Sequence, residues 1–202
     1  MRIVAGEFRG RAISAPEGSG TRPTTDRVRE ALMSSLYSLL GGFDGQRVLD
    51  AFAGSGALGL EALSRGAERA DFFESNKGAF RTLRANIAAC GVGADRASAY
   101  NADVERLCSD GGSAVRGGIC APYTLVFLDP PYAFGAQATG EFVARLRDAG
   151  KLANDAAIVY EHDQKASRDV ESAFPDCAIV SMKKYGKTGV ALLRIAERGP
   201  IA

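Results

Sequence analysis

The chain has 202 residues, of which 46% are hydrophobic and 24% charged, an ordinary composition for one folded α/β domain. No apolar run approaches the ~20 residues of a membrane span, and the first residues lack the apolar core of a signal peptide, so we expect a cytoplasmic protein. The four cysteines form no C-x-x-C pair and there is one histidine, which favours reduced thiols and argues against a metal site.

The formal net charge of +1 conceals an uneven distribution. Residues 1–29 carry a formal charge of +3 and residues 182–202 carry +4, whereas residues 30–181 carry −6. Basic ends of this kind could bind a polyanion, or their charges could simply be solvated. Charge alone does not decide between the two interpretations.

The first predicted elements form an extension over residues 1–45. MRIVAGEFRGRAIS predicts a β-hairpin around a glycine-flanked turn. A link rich in Gly, Ser and Pro follows, and TTDRVREALMSSLYSLL then shows a helical stripe of apolar residues that ends at a Gly-Gly pair.

From residue 46 to residue 202 the pattern predicts one core of alternating strands and helices. RVLDAF, RADFFE, ASAYNA, YTLVFLD and AAIVYE predict strands, with helices in ALGLEALSRG, KGAFRTLRANIAAC, DVERLC, AQATGEFVARLRDA and KASRDVESAF. AIVSMKKY and GVALLRI, joined by GKT, predict a final hairpin. The alternation predicts a mostly parallel sheet covered on both faces, with antiparallel pairing at its end.

A glycine-rich loop lies between the first core strand and its helix. Gly54, Gly56 and Gly59 have G-x-G-x-x-G spacing, and Glu74 ends the next strand. This spacing also fits a dinucleotide site, so a nicotinamide enzyme is an alternative. Asp50 closes the strand before the loop, where its charge would repel a pyrophosphate and attract an ammonium or sulfonium group.

S-adenosylmethionine is a ligand that meets these conditions, because it is cationic, carries a ribose and an adenine, and has no phosphate. Glu74 could accept hydrogen bonds from both ribose hydroxyls, and Asp103, after the third strand, could accept one from the adenine amino group. Three carboxylates at successive strand ends agree with the rule that open α/β sheets bind ligands at this edge.

The stretch Asp129-Pro130-Pro131-Tyr132 follows a buried strand and cannot continue it, because proline fixes its backbone angle and donates no N–H. Asp129 and the carbonyl of Pro130 could accept both hydrogens of an exocyclic amine, while Tyr132 stacks on the base. A paired base would have to be flipped out to enter such a pocket. From these residues alone, guanine and adenine both remain open.

Basic and hydroxyl side chains of the extension are predicted to bind RNA phosphates. They are Arg2, Arg9, Arg11, Arg22, Thr24, Thr25 and Arg27. The alternative is that the threonines cap the helix and the arginines are only solvated.

The stretch DAFAGSG resembles motif I of class I adenosylmethionine-dependent methyltransferases, and DPPY resembles their amino-methylating motif. In this order, MRIVAGEFRGR, RPTTDRVREAL, LDAFAGSGALGLEALSRGA, VFLDPPY and YGKTG resemble the bacterial RsmD family of 16S rRNA guanine-N2 methyltransferases, over essentially the whole chain. The resemblance implies a Rossmann-like, seven-stranded sheet and transfer of one methyl group to guanine in 16S rRNA, within a small ribosomal subunit or an assembly intermediate. A monomer is expected for a chain of this size.

The resemblance also assigns roles to residues. It implies a cofactor site lined by Asp50, Phe52, Gly54, Ser55, Gly56, Glu74 and Asp103, and a target site formed by Asp129, Pro130, Pro131 and Tyr132. Asn76 stands where the family often has an acidic residue, and the Gly-rich segment 109–121 is longer than usual. Alternative functions are a DNA adenine-N6 methyltransferase and a catalytically silent RNA-binding assembly factor.

Overall fold

The computed structural model of the protein describes residues 1–16, 26–108, 118–131 and 134–196. The strands are β1 (Arg47–Asp50), β2 (Arg69–Phe73), β3 (Ala97–Tyr100), β4 (Tyr123–Leu128), β5 (Leu152–Asp163), β6 (Cys177–Tyr185) and β7 (Thr188–Ile195). The helices are α1 (Asp26–Leu40), α2 (Ala57–Ser64), α3 (Lys77–Ala89), α4 (Gly135–Asp148) and α5 (Val170–Ala173), with 3₁₀ segments at Val104–Cys108 and Gln164–Asp169. None of the helices in these ranges has both the length and the hydropathy needed to cross a membrane.

The seven strands form one sheet in the order β3-β2-β1-β4-β5-β7-β6. β1 to β5 pair in parallel, and β7 pairs antiparallel with both β5 and β6. Asp50 lies opposite Phe72 of β2 and Phe127 of β4, so the carboxyl ends of three strands meet at one edge. The predicted mostly parallel, seven-stranded Rossmann-like sheet with an antiparallel end is confirmed.

Apolar side chains cover the two faces of the sheet in two separate layers. Leu125 and Phe127 pack toward α1, α2 and α3, whereas Val126 and Leu128 pack toward α4 and α5. This alternation along β4 is the period of a strand that is buried on both faces. We refer to these as the α1–α3 layer and the α4–α5 layer.

The N-terminal extension packs onto the α1–α3 layer. Its predicted hairpin contains a single bridge pair, Arg2 with Ala12, because the chain between them turns away to dock on the end of α2. There, Ser64 accepts a hydrogen bond from the Phe8 N–H at its Oγ (2.9 Å) and one from the Glu7 N–H at its carbonyl (2.7 Å). The division of the chain at residue 46 stays a prediction, since Phe8 joins the same apolar cluster as the sheet.

Two elements differ from their predicted form. The segment predicted as one helix over residues 165–174 is a 3₁₀ segment, Gln164–Asp169, followed by the short α5. Residues 164–169 bury no side chain, so no apolar face holds them in α-helical geometry, whereas α5 buries Val170 and Ala173. β5 extends beyond the predicted AAIVYE to Leu152–Asp163, because β4 pairs with it at Leu152 and β7 pairs with it as far as Asp163.

Candidate active site

A cavity of about 490 Å³ opens at the carboxyl edge of the parallel strands. Its wall contains the residues that follow β1, β2, β3 and β4, together with Met1, Ala15 and Pro16 of the extension. The predicted residues that it brings together are Asp50, Phe52, Gly54, Ser55, Glu74, Asp103, Asp129, Pro130 and Pro131. Within the described ranges, no three His, Cys, Asp or Glu side chains are grouped so that they could hold a metal ion.

Asp50 is buried in this wall with 4% of its surface exposed. The pKa of its carboxyl is raised to about 7, mainly by burial. A hydrogen bond from the Gly59 N–H to Oδ2 (3.1 Å) opposes the rise, and the nearby charges of Asp129 and Glu74 add to it. A Cβ at position 59 would lie 2.3 Å from the Phe72 ring, so glycine is required for this close approach. The third glycine of the motif therefore brings α2 against β2 and gives Asp50 a donor.

Glu74 fixes the shape of the glycine loop. Its Oε2 accepts a hydrogen bond from the Gly54 N–H (2.9 Å), and its Oε1 accepts one from the Asn76 N–H (2.7 Å). Each carboxylate oxygen has a further lone pair that can accept another donor. Gly56 does not line the cavity. It is the N-cap residue of α2 and has a left-handed conformation (φ 76°), so it connects the glycine loop to the helix.

Asp103 lies in the cavity wall just after β3. Its Oδ1 accepts a hydrogen bond from the Glu105 N–H (3.0 Å), which holds the carboxylate at the start of the 3₁₀ segment. The ends of β1, β2 and β3 thus each contribute one acidic side chain to the cavity, as the sequence predicts.

Asp129, Pro130 and Pro131 form the part of the wall that follows β4, the strand beside β1. The Phe134 N–H donates to the Pro131 carbonyl (2.8 Å) and so closes the turn. The Asp129 side chain is reached by solvent through the cavity but is surrounded by protein, and this desolvation raises its pKa to about 6. Tyr132 lies outside the described residues.

Phe134 also lines the cavity, although the sequence analysis did not include it. Its ring packs edge-on against that of Phe52, with centroids 5.6 Å apart. The pair links the loop after β1 to the turn after β4. The sequence could have indicated Phe134 only through its position three residues after Pro131.

Arg29 is a second lining residue that the sequence analysis missed, and it is fully buried. Its guanidinium donates to Glu61 Oε1 (3.1 Å), Asp26 Oδ1 (2.8 Å) and the Arg2 carbonyl (2.6 Å). Two carboxylates therefore offset its charge, and the cavity keeps its acidic character. The signal was periodicity, because Arg29 occupies a position on the same helical stripe as the buried residues Leu32, Met33 and Leu36.

Two asparagines of α3 also support the site. Asn76 caps the helix through bonds from the N–H groups of Gly78 (2.8 Å) and Ala79 (3.0 Å), and it lines the cavity. Asn86 is buried and donates to the carbonyls of Ser14 (2.9 Å) and Ser55 (2.8 Å), so it ties the extension to the glycine loop. A polar residue beside the apolar stripe of a helix was the only sequence signal for Asn86.

Of the predicted RNA-binding residues, the four that the structure describes, Arg2, Arg9, Arg11 and Arg27, do not line the cavity. Arg2, Arg9 and Arg27 are exposed, while Arg22, Thr24 and Thr25 lie outside the described residues. Arg11 donates to the carbonyls of Cys90 and Ala89 (3.4 Å for Ala89), and these contacts cap the C-terminal end of α3. Arg11 thus has a structural contact that the sequence did not reveal, and RNA binding by this group stays a prediction.

Comparison with known proteins places this architecture in a family. The family model described as "Conserved hypothetical protein 95" matches residues 1–194. The chain belongs to this family. "Ribosomal RNA small subunit methyltransferase D" of Escherichia coli (strain K12) is 39% identical over 199 residues, which cover 98% of this chain and 90% of that protein. The predicted membership of the RsmD family is therefore confirmed.

A solved structure with a similar sequence has the same fold over nearly its whole length. "Putative methyltransferase yhhF from Escherichia coli" superposes with a TM-score of 0.78, at 32% identity, over 98% of this chain and 99% of that one. The fold is that of class I methyltransferases, as the sequence predicts.

Proposed function

We propose that this protein transfers a methyl group from S-adenosylmethionine to the exocyclic N2 of one guanine in 16S rRNA. The observation that carries the proposal is one cavity whose wall contains three strand-end carboxylates together with the Asp129-Pro130-Pro131 turn. Membership of a family with relatives named rRNA small subunit methyltransferases supports the same substrate class. The enzyme is proposed to act in the cytoplasm as a monomer on a small ribosomal subunit or an assembly intermediate.

The cavity fits the cofactor in size and in charge. Its volume of about 490 Å³ lies within the range of small-molecule sites, roughly 300–1,000 Å³. Asp50 would pair with the ammonium group. Glu74 would accept hydrogen bonds from the ribose hydroxyls, and Asp103 would accept one from the adenine amino group. Arg29, the arginine among the described wall residues, is already paired with Glu61 and Asp26, so it does not offer its charge to a pyrophosphate.

The target side of the cavity suits an amine that is a weak nucleophile. The lone pair of a guanine amino group is delocalised into the ring, so the amine has to be oriented and pyramidalised. Asp129 and the Pro130 carbonyl would accept its two hydrogens and direct the lone pair outward, and the closed turn keeps both acceptors in place. Positioning of this kind can supply ~7–11 kcal/mol of the rate acceleration.

The bound cofactor supplies an electrophilic methyl group on its sulfonium. As the N–C bond forms and the S–C bond breaks, the amine nitrogen becomes cationic and loses a proton. Asp129, with a pKa near 6, can accept that proton at a carboxylate oxygen. Guanine is preferred over adenine because its adjacent N1–H and N2–H donors suit one carboxylate.

The decisive experiment measures methyl transfer from labelled cofactor to small subunits that lack the modification, followed by nucleoside mass spectrometry. We expect N2-methylguanine at a single 16S position. Asp129→Ala should lower the turnover number by at least about 10³-fold, with cofactor affinity changed by less than about threefold. Methyladenine as the product, or transfer by Asp129→Ala at the wild-type rate, would contradict the proposal.

A further inference from the structure

The outer face of α3 carries three basic side chains that take no part in the cavity described above. Lys77, Arg81 and Arg84 are all exposed, and their i, i+4 and i+7 spacing places them on one face of the helix. The helix KGAFRTLRANIAA contains no acidic residue, so its formal charge is +3. On many exposed helices a carboxylate four residues away pairs with each basic side chain and offsets its charge, and α3 contains no such carboxylate.

The helical elements of the α4–α5 layer have a different composition. α4 balances Arg145 and Arg147 with Glu141 and Asp148. The segment Gln164–Asp169 and α5 together carry two bases and two acids, and Val104–Cys108 carries one of each. Among the described helices, positive charge is therefore concentrated on α3.

Cations on α4 and β7 are paired with carboxylates, unlike those on the outer face of α3. Arg145 contacts Glu105, Arg147 lies 3.5 Å from Asp176, and Arg194 of β7 lies 3.0 Å from Asp155. In the described part of the chain, Lys77, Arg81 and Arg84 form no ion pair with a carboxylate. Their side chains are thus available to an external anion.

The basic face starts at the rim of the cavity. Asn76 and Ala79, at the first turn of α3, both line the cavity, and Lys77 lies between them in the chain. From Lys77 to Arg84 the helix rises about 10 Å, at ~1.5 Å per residue. The stripe therefore begins at the rim of the cavity and leads away from it.

We propose that Lys77, Arg81 and Arg84 bind the phosphate backbone of the RNA next to the target guanosine. This inference rests on the proposed rRNA substrate and adds a surface for it. Arginine forks pair with phosphate oxygens without reading a base, so the contact holds the substrate in register and leaves base selection to the cavity. Each phosphate contact made by a cation releases counterions, which makes the contribution measurable through salt.

The test compares Arg81→Gln/Arg84→Gln with a matched control, Lys165→Gln/Arg168→Gln. The control removes the same charge from exposed positions of the α4–α5 layer. Binding to unmodified small subunits and to free 16S rRNA is measured over a range of salt concentrations. We expect the α3 variant to lose roughly 1.5 from the salt slope, at ~0.7–0.9 per phosphate contact, and about tenfold in affinity on both RNAs. KM for RNA should rise, with the turnover number and cofactor affinity unchanged.

The control should retain the wild-type slope and affinity. Equal slopes for the two variants would overturn the proposal, and so would a loss confined to assembled subunits, since that result would assign α3 to a ribosomal protein. A wild-type enzyme that binds small subunits and free 16S rRNA with the α3-dependent slope but methylates neither would refute the proposed function and leave this surface standing.

Discussion

Two buried aspartates on neighbouring strands have the same chemistry and different surroundings. Asp50 is the last residue of β1. Asp71 lies on β2 opposite Leu49, the residue that precedes Asp50. Burial is the main cause that raises the pKa of both carboxyls. Asp50 borders the cavity, whereas Asp71 is fully enclosed, with its Oδ2 accepting hydrogen bonds from the Cys120 N–H (2.7 Å) and the Tyr123 hydroxyl (2.9 Å).

The comparison shows that a raised pKa does not identify a functional carboxylate. Asp71 Oδ2 holds the chain that enters β4, and Asp71 does not line the cavity. Asp50 borders the cavity and has one backbone donor, but among the described residues it forms no ion pair, so its ionised form lacks a cationic partner until a ligand supplies one. We infer that the uncompensated burial of Asp50 serves binding, while the partners of Asp71 serve stability.

Asp50→Asn should give the largest change in cofactor affinity. The amide keeps an oxygen for the Gly59 N–H but loses the charge that attracts the ammonium, so the dissociation constant at pH 8 should rise on the order of 100-fold. Calorimetric titration with S-adenosylmethionine measures this directly. An affinity within about threefold of wild type would remove Asp50 from the cofactor site.

The same variant should be more stable than wild type at pH 8. Because the folded pKa of Asp50 (about 7) lies above its ordinary value of 3.8, the folded state binds more protons between those values, and wild-type stability falls as pH rises through that window. Asn cannot ionise, so at pH 8 the free energy of unfolding of the variant should exceed that of wild type by up to a few kcal/mol, at ~1.4 kcal/mol per pKa unit. Near pH 3 the two free energies, both measured by urea unfolding, should be equal. A variant less stable at pH 8 would contradict this account.

Sequence and structure agree best where function leaves a local pattern. Asp50 could be predicted because it closes a strand before a glycine loop, and the parallel sheet then places it with Glu74 and Asp103. Asp71 could not, because its partner Tyr123 is 52 residues away and RADFFE predicts only a strand. Arg29 was missed for a related reason, since its two carboxylate partners come from different helices.

A change of pH should give the second largest change in cofactor affinity. If the cofactor binds only ionised Asp50, protonation competes with it below the pKa of about 7. The wild-type dissociation constant should therefore rise about tenfold from pH 8 to pH 6. The residual affinity of Asp50→Asn should change by less than about twofold over the same range. A tenfold change in both proteins would assign the titration to another group.

Tyr123→Phe should leave cofactor affinity unchanged and lower stability. Tyr123 is fully buried, and its hydroxyl donates to Asp71 (2.9 Å), so phenylalanine fills the same space but removes one of the two donors to Asp71 Oδ2. Loss of a buried hydrogen bond to a charged acceptor costs about 1.5–3 kcal/mol, which urea unfolding at pH 8 would detect. The variant should still bind S-adenosylmethionine with a wild-type dissociation constant and pH profile, because the cavity wall contains neither Tyr123 nor Asp71. A weakened or pH-shifted affinity would mean that the enclosed aspartate acts on the cofactor site, and the separation between the two carboxylates would then fail.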